Sequence, residues 1–392
     1  MYNIVIDENI SFAAEAFEGF GNIRLLPGRS ITRSETADAD ALIIRSVTQI
    51  DRELLEGSSV KFVGTATIGT DHIDLEYLKN RDIFFTSARG CNADAVAEWV
   101  FTALLYACST RGTSLAGKSM GIIGYGNIGS RVARFAKGLG LRTVINDPPL
   151  QHSDCGVSST DVTFSGIDEA LSCDIVTLHV PLLMNGKYKT HHLINADNIN
   201  LLRPDCIFIN AARGPVVDNS VLEDYMKTNP DFTALLDVWE HEPGINPGLM
   251  DMALAATPHV AGYSLEGKVN GTAIIYEKFC GCFRLTSEWV PRLHFPDNNV
   301  IAVSEPNSVK TAPASGFSRE DILHSVFSAV YNIQEDTQKT KEILSLPAGE
   351  RALYFDRLRK NYLLRREFFN YTAKTGSDEI RKILELFRFR TA

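Results

Sequence analysis

The chain reads as an α/β protein built on a doubly wound parallel sheet, with a smaller α/β domain before it and an α+β domain after it. Three observations predict this. Short apolar runs alternate with helical periodicity from Tyr2 to about Ser264. A glycine turn, Gly124-Tyr125-Gly126-Asn127-Ile128-Gly129, joins the apolar run Met120–Ile123 to a segment with Val132, Phe135, Ala136 and Leu139 at helical spacing. Beyond residue 285 the texture changes to linker-like stretches at Pro306-Asn-Ser and Pro313-Ala-Ser-Gly. Helical periodicity and the basic run Phe355-Asp-Arg-Leu-Arg-Lys-Asn-Tyr-Leu-Leu-Arg-Arg-Glu367 follow.

In order, Asn3–Ile6, Ala41–Arg45 and Lys61–Gly64 are strands ending in polar loops, and Asn92–Cys108 is a long apolar helix suited to burial between two domains. Gly112-Thr-Ser-Leu-Ala-Gly117-Lys118-Ser119 satisfies a phosphate-loop expression, but a helix precedes it and a strand follows, the reverse of what that loop requires. The second set of strands is Met120–Gly124, Arg142–Asn146, Asp174–Val180, Cys206–Ala211, Ala234–Val238 and Ala256–His259, with helices such as Asn219–Thr228 between them. Glu266–Arg284 is a further helix that can return to the first domain. The expected division is residues 1–110 with 265–285, then 111–264, then 286–392.

Composition narrows the classes. The length of 392 residues allows two or three domains, and 44% hydrophobic with 22% charged residues is ordinary for a globular protein. No apolar run reaches the roughly 20 residues of a membrane span. The first strand starts at once, with no basic, cleavable leader. Seven irregularly spaced cysteines argue against a disulfide framework and for a reducing cytoplasm. A net charge of −9 disfavours nucleic acid and anionic membranes as partners. An anionic substrate then needs a locally basic site.

The glycine turn carries a specific chemistry. Gly124 permits the tight turn, Gly126 removes a side chain that would hold a pyrophosphate off the backbone, and Gly129 lets helix and strand pack closely. The helix N-terminus, with Asn127 and Ile128, offers unpaired N–H groups and partial positive charge to the anion. Asp147, at the end of the next strand, is placed to accept from ribose hydroxyls and to repel a 2′-phosphate, which favours NAD over NADP. In a doubly wound sheet ligands lie at the carboxyl ends of the strands, where Arg213, Asp237 and His259 also fall. Arg213 can grip a carboxylate bidentately. A carboxylate such as Glu242, in Asp237-Val-Trp-Glu-His-Glu-Pro243, can back the His259 imidazole so that it exchanges a proton as a hydride leaves. Each of these residues alone is more often structural, and their joint occurrence on one nucleotide fold gives them meaning. His191-His192 and Cys280-Gly-Cys282 lack a second ligand pair at zinc spacing and read as solvated helix residues and buried thiols, so no metal is expected.

These residues resemble the D-isomer-specific 2-hydroxyacid dehydrogenases. The likeness runs through Gly69-Thr-Asp-His-Ile-Asp74, Asn92 with Val96-Ala-Glu98, the glycine turn, His179-Val-Pro-Leu, Asn210-Ala-Ala-Arg-Gly214, the Asp237–Pro243 segment and Thr257-Pro-His259. It implies Arg213, Glu242 and His259 as the catalytic set. Arg45-Ser-Val-Thr48, Val63-Gly-Thr-Ala-Thr67, Asp147-Pro-Pro149, Thr257–Lys268 and Phe355–Tyr362 resemble a branch acting on 4-phosphoerythronate. That resemblance implies Ser46, Thr67 and Tyr263 at the substrate, and Val180, Ala211, Ala212, Arg213, Asp237 and Gly262 at the cofactor. It also implies a homodimer formed through the C-terminal domain. Arg45, or Arg357 and Arg359 reaching across the dimer, are candidate cations for the phosphate. Another phosphorylated acid such as 3-phosphoglycerate is the alternative substrate, and an NADH-responsive binding protein on the same fold is the alternative class.

Overall fold

A computed structural model describes residues 1–152, 162–303 and 318–392. The linker-like stretches at Pro306 and Pro313 lie outside the described residues. The chain divides into two compact units, Met1–Asn92 with Ser264–His294, and Ala93–Tyr263 with Phe295–Ala392.

The first unit is a parallel five-stranded sheet of order β2-β1-β3-β4-β5, formed by β1 (Tyr2–Asp7), β2 (Gly21–Leu26), β3 (Ala41–Ile44), β4 (Phe62–Thr65) and β5 (Phe84–Ser87). β1, β3 and β4 are the strands expected from sequence. β2 and β5 are the edges, half exposed, and their weaker apolar patterns hide them among loop residues. The helix Leu265–Phe283 returns to this sheet and buries Ile275, Tyr276 and Phe279. A Cβ on Gly64 would stand 2.5 Å from Ile275, so the helix lies directly on β4.

The second unit holds a parallel six-stranded sheet of order β11-β10-β9-β8-β6-β7. Its strands are β6 (Ser119–Ile123), β7 (Arg142–Asn146), β8 (Ile175–Leu178), β9 (Ile207–Asn210), β10 (Thr233–Leu236) and β11 (Ala255–Ala256). Residues of β6, β8, β9 and β10 are buried throughout, which is why these strands read as continuous apolar runs without alternation. The order reverses at β6, with β7 on one side and β8 on the other. β11 is only two residues long. The expected strand Ala256–His259 ends early because the backbone turns away, with His259 in the left-handed region at φ 58°.

Two further expectations are corrected. The helix Ala93–Arg111 belongs to the second unit, not with residues 1–92, and it is buried on nearly every side by that unit's own core. Residues 295–392 do not stand apart from the nucleotide fold. They carry the helices Arg319–Val330, Ile333–Lys341, Ala348–Lys360 and Asp378–Leu386 and a parallel sheet of β12 (Val300–Ala302), β13 (Thr372–Lys374) and β14 (Arg390–Thr391). Phe387 stacks on Phe135 at 4.4 Å between centroids and meets Phe101 edge-on at 5.1 Å. One hydrophobic core therefore runs from the nucleotide sheet into the C-terminal segment.

Candidate active site

The glycine turn follows β6 and meets the demands read from its sequence. Gly124 adopts φ 93°, and a Cβ there would stand 2.6 Å from the His179 carbonyl oxygen. A Cβ on Gly129 would collide with the Gly124 carbonyl at 1.9 Å, so the helix Asn127–Gly138 packs against the turn. Gly126 faces open space, with nothing within 4 Å of an added Cβ, at the N-cap of that helix. The exposed Gly126 and Asn127 and half-buried Ile128 thus present a clear helix N-terminus, a cradle that fits a dinucleotide pyrophosphate. Asp147 follows β7, where Oδ2 accepts from the Tyr125 N–H at 2.7 Å and Oδ1 caps Leu150 N at 2.9 Å. Each oxygen keeps a lone pair for a ribose hydroxyl. Val180, half buried, leads out of β8 beside Gly124.

The loops after β9, β10 and β11 bring Arg213, Glu242 and His259 to the same sheet edge. Ala211, Ala212 and Arg213 follow β9, and Arg213 donates from Nη1 to the Ala212 carbonyl at 2.7 Å. A Cβ on Gly214 would overlap the Trp239 carbonyl at 1.9 Å, so the Arg213 corner rests on the loop after β10. In that loop Glu242 accepts the Trp239 N–H at 2.9 Å through Oε1, and Oε2 lies 2.8 Å from His259 Nδ1. Burial opposes ionisation of Glu242, but the His259 charge, their hydrogen bond and Arg359 together hold its pKa below the ordinary carboxylate value. The bond at Nδ1 fixes the imidazole and leaves Nε2 for chemistry.

Asp237 does something its expected cofactor role did not reveal. Its carboxylate accepts from Thr257 Oγ1 at 2.6 Å, Val260 N at 2.8 Å and Ala261 N at 2.9 Å, and it is buried. It holds the turn that carries His259, with Gly262 and Tyr263 just beyond. Sequence reasoning also missed Arg365, whose buried guanidinium donates to the carbonyls of Val260 and Ala95 at 2.9 Å each and to that of Ala261. It lies more than a hundred residues from its partners, beyond the reach of any local pattern. Arg359, named in the sequence for a phosphate on the other side of a dimer, stands within its own chain, with Nη1 3.8 Å from Glu242 Oε2.

In the first unit, Ser46 is exposed just past β3, and Thr67 follows β4 with its hydroxyl 2.8 Å from Thr65 Oγ1, itself 3.2 Å from His72 Nε2. Arg45 is held by the buried Asp7 through Nε at 2.9 Å and Nη2 at 3.2 Å.

His191 and His192 are not helical. They stack at 4.0 Å and, with Glu240, form a group of potential metal ligands. His192 Nε2 sits 2.6 Å from Glu240 Oε1, within hydrogen-bond distance. Glu240 Oε2 accepts from Asn219 N at 3.0 Å. The cluster is a helix-anchoring network. Cys280 is buried and Cys282 half buried, as expected of structural thiols.

Comparison with known proteins agrees with this geometry. Residues 96–261 match the model of the D-isomer specific 2-hydroxyacid dehydrogenase NAD binding domain, and residues 304–386 match a domain of unknown function, DUF3410. Erythronate-4-phosphate dehydrogenase of Pseudomonas fluorescens is 40% identical over 375 residues, 93% of this chain and 92% of that one. The enzyme of the same name from Hahella chejuensis is 41% identical over 365 residues, with the same coverage of 93% and 92%. Among solved structures, NAD-bound 3-phosphoglycerate dehydrogenase of Entamoeba histolytica superposes with a TM-score of 0.60 at 24% identity, covering 72% of this chain and 95% of its own. D-Lactate dehydrogenase of Aquifex aeolicus, with NAD and lactic acid, gives 0.58 at 23% identity, covering 72% of this chain and 96% of its own. The fold is thus that of nucleotide-dependent hydroxyacid dehydrogenases. With relatives at this identity along nearly their full length, the chain belongs to the D-isomer specific 2-hydroxyacid dehydrogenase family, among the erythronate-4-phosphate dehydrogenases.

Proposed function

We propose that this enzyme oxidises 4-phospho-D-erythronate at C2 to 2-oxo-3-hydroxy-4-phosphobutanoate, using NAD, in the synthesis of pyridoxal phosphate. The observation that carries the reading is the 2.8 Å Glu242–His259 pair on the edge that bears the glycine cradle. A bound nicotinamide supplies the acceptor for the C2 hydrogen and its electron pair. His259 takes the proton of the C2 hydroxyl at Nε2, while Glu242 at Nδ1 stabilises the imidazolium that forms. Arg213 orients the C1 carboxylate and polarises the developing C2 carbonyl. Ser46, Thr67 and Tyr263 contact the substrate. Asp147 favours NAD over NADP through its charge beside the ribose.

The first unit supports an anionic substrate. The Lys268 ammonium is pushed below its ordinary pKa by burial and by the charge of Arg45. Lys268, with Arg45 already paired to Asp7, is the candidate cation for the substrate's phosphate in this unit. The buried and half-buried free thiols fit a reducing cytoplasm. Among the described residues no helix is long and apolar enough to cross a membrane. Leu353 and Leu363, 59% and 88% exposed in the C-terminal segment, fit a homodimer formed through residues 286–392. Sedimentation of the purified chain tests that assembly.

The deciding assay offers 4-phosphoerythronate, 3-phosphoglycerate and lactate separately, with NAD and then NADP, and follows reduced nucleotide. Turnover chiefly on 4-phosphoerythronate with NAD is expected. Turnover on none of the three would favour an NADH-responsive binding protein. His259→Asn is expected to lower kcat by about 10²–10⁴, and a variant with wild-type kcat would remove His259 from the mechanism.

A further inference from the structure

Arg359 lies in the helix Ala348–Lys360, within the stretch matched to a domain of unknown function, and it reaches the acid–base pair of its own chain. Its Nη1 stands 3.8 Å from Glu242 Oε2, the oxygen that also faces His259 Nδ1 at 2.8 Å. The same guanidinium is hydrogen-bonded to the Tyr263 side chain, and Tyr263 packs edge-on against Tyr362 at 5.9 Å between centroids. Nε is buried with no hydrogen-bond partner among the described residues, so the head group is held chiefly from its Nη side.

We propose that Arg359 is a positioning residue for the reaction, which keeps the Glu242 carboxylate in place and ionised while His259 cycles between neutral and protonated forms. The argument turns on a change of charge during catalysis. When His259 holds the substrate's proton, Glu242 faces an imidazolium. When His259 is neutral, that charge is gone, and Arg359 is the cation left beside a largely buried carboxylate. Burial alone would drive Glu242 toward its protonated form, which pairs poorly with an Nδ1–H donor. A permanent guanidinium opposes that drift in both halves of the cycle. Around this carboxylate the other groups are the Trp239 N–H and His259, while Asp237 and Tyr263 lie near the guanidinium. The C-terminal segment thereby becomes part of the active site in cis, with Arg365 bracing the carbonyls of the same loop.

The inference rests on Glu242–His259 as the proton-transfer pair, and a double-mutant cycle on the full-length enzyme separates the two. Arg359→Gln, Glu242→Gln and the double variant are assayed with 4-phosphoerythronate, or with any 2-hydroxy acid that wild type turns over, across pH. Near-wild-type kcat in Glu242→Gln would sink the underlying reading, and this inference with it. With Glu242→Gln impaired, Arg359→Gln is expected to lose at least about tenfold in kcat in the wild-type background but less than about twofold in the Glu242→Gln background. Its KM for NAD should hold, and the acid limb of its kcat profile should move to higher pH. Equal losses in both backgrounds, or an unmoved acid limb, would overturn the proposal. Arg359→Lys, which retains charge, should recover part of the loss. If Arg359→Gln fails to fold, the same cycle with Lys decides by the same criterion of coupled against equal loss.

Discussion

Asp237 and Thr257 meet carboxylate to hydroxyl at 2.6 Å, and the same carboxylate takes the N–H groups of Val260 and Ala261. Between these anchor points His259 sits at φ 58°. A non-glycine residue in that region costs on the order of 1–3 kcal/mol and persists only where its surroundings enforce it. Charge-assisted hydrogen bonds to a buried carboxylate provide that enforcement. Asp237→Asn turns one of the two oxygens into an NH2 group facing a donor, so both thermal stability and kcat should fall, kcat by about tenfold or more. Calorimetry and turnover at saturating substrate measure the two effects. Retention of both would show that something other than this carboxylate fixes the loop.

Gly126 offers a cleaner separation of binding from folding. Because nothing lies within 4 Å of its added Cβ, the side chain of Gly126→Val starts in open space. The new side chain would occupy the approach to the helix N-terminus, where a pyrophosphate must touch the backbone. NAD affinity should drop by about a hundredfold, a loss of roughly 2.7 kcal/mol, with the unfolding midpoint unchanged. Calorimetric titration with NAD decides, and unimpaired binding would place the pyrophosphate elsewhere.

Much of this was legible because the information is local. The glycine turn, Asp147, Arg213 and His259 each follow an apolar run, and parallel strands buried on both faces announce themselves by such runs. What stayed hidden is long-range. No periodicity links Arg365 to Val260, or Arg359 to Glu242, across more than a hundred residues. The helix Ala93–Arg111 was apolar enough to be recognised, yet part of the core it packs into, including Phe327 and Phe387, lies over two hundred residues downstream. The Asp237 carboxylate shows the other limit. Its motif marked it as functional, while only coordinates reveal that it acts by holding the histidine's backbone.

Substrate specificity has a test within the first unit. Lys268 is half buried, in the opening turn of the helix Leu265–Phe283, and the charge of Arg45 helps lower its pKa. Lys268→Met keeps the length and apolar stem while removing the charge. With 4-phosphoerythronate, kcat/KM should fall by about tenfold or more, as expected for loss of a charge-assisted contact to phosphate. With an unphosphorylated 2-hydroxy acid it should change little. Equal losses on both substrates would show that Lys268 serves the fold and not the phosphate.

Glu98 gives the protein a pH-dependent stability of known sign. It is buried in the helix Ala93–Arg111, its Oε1 accepts the Phe368 N–H at 2.9 Å, and Oε2 is buried with no hydrogen-bond partner among the described residues. Burial, and then the charge of the equally buried Glu367, raise its pKa well above the ordinary carboxylate value. The folded state therefore binds this proton more tightly than the unfolded chain does. Its contribution is full below the unfolded pKa and is lost as pH rises through the elevated folded one. Glu98→Gln keeps an acceptor for Phe368 and removes the titration. Below the ordinary carboxylate pKa the two proteins should unfold at similar temperatures, and above it the variant should become progressively more stable than wild type. Thermal unfolding of both across the acidic to neutral range measures the difference. A wild type that gained stability relative to Glu98→Gln as pH rose would mean that the carboxylate is ionised and favourably paired in the native protein.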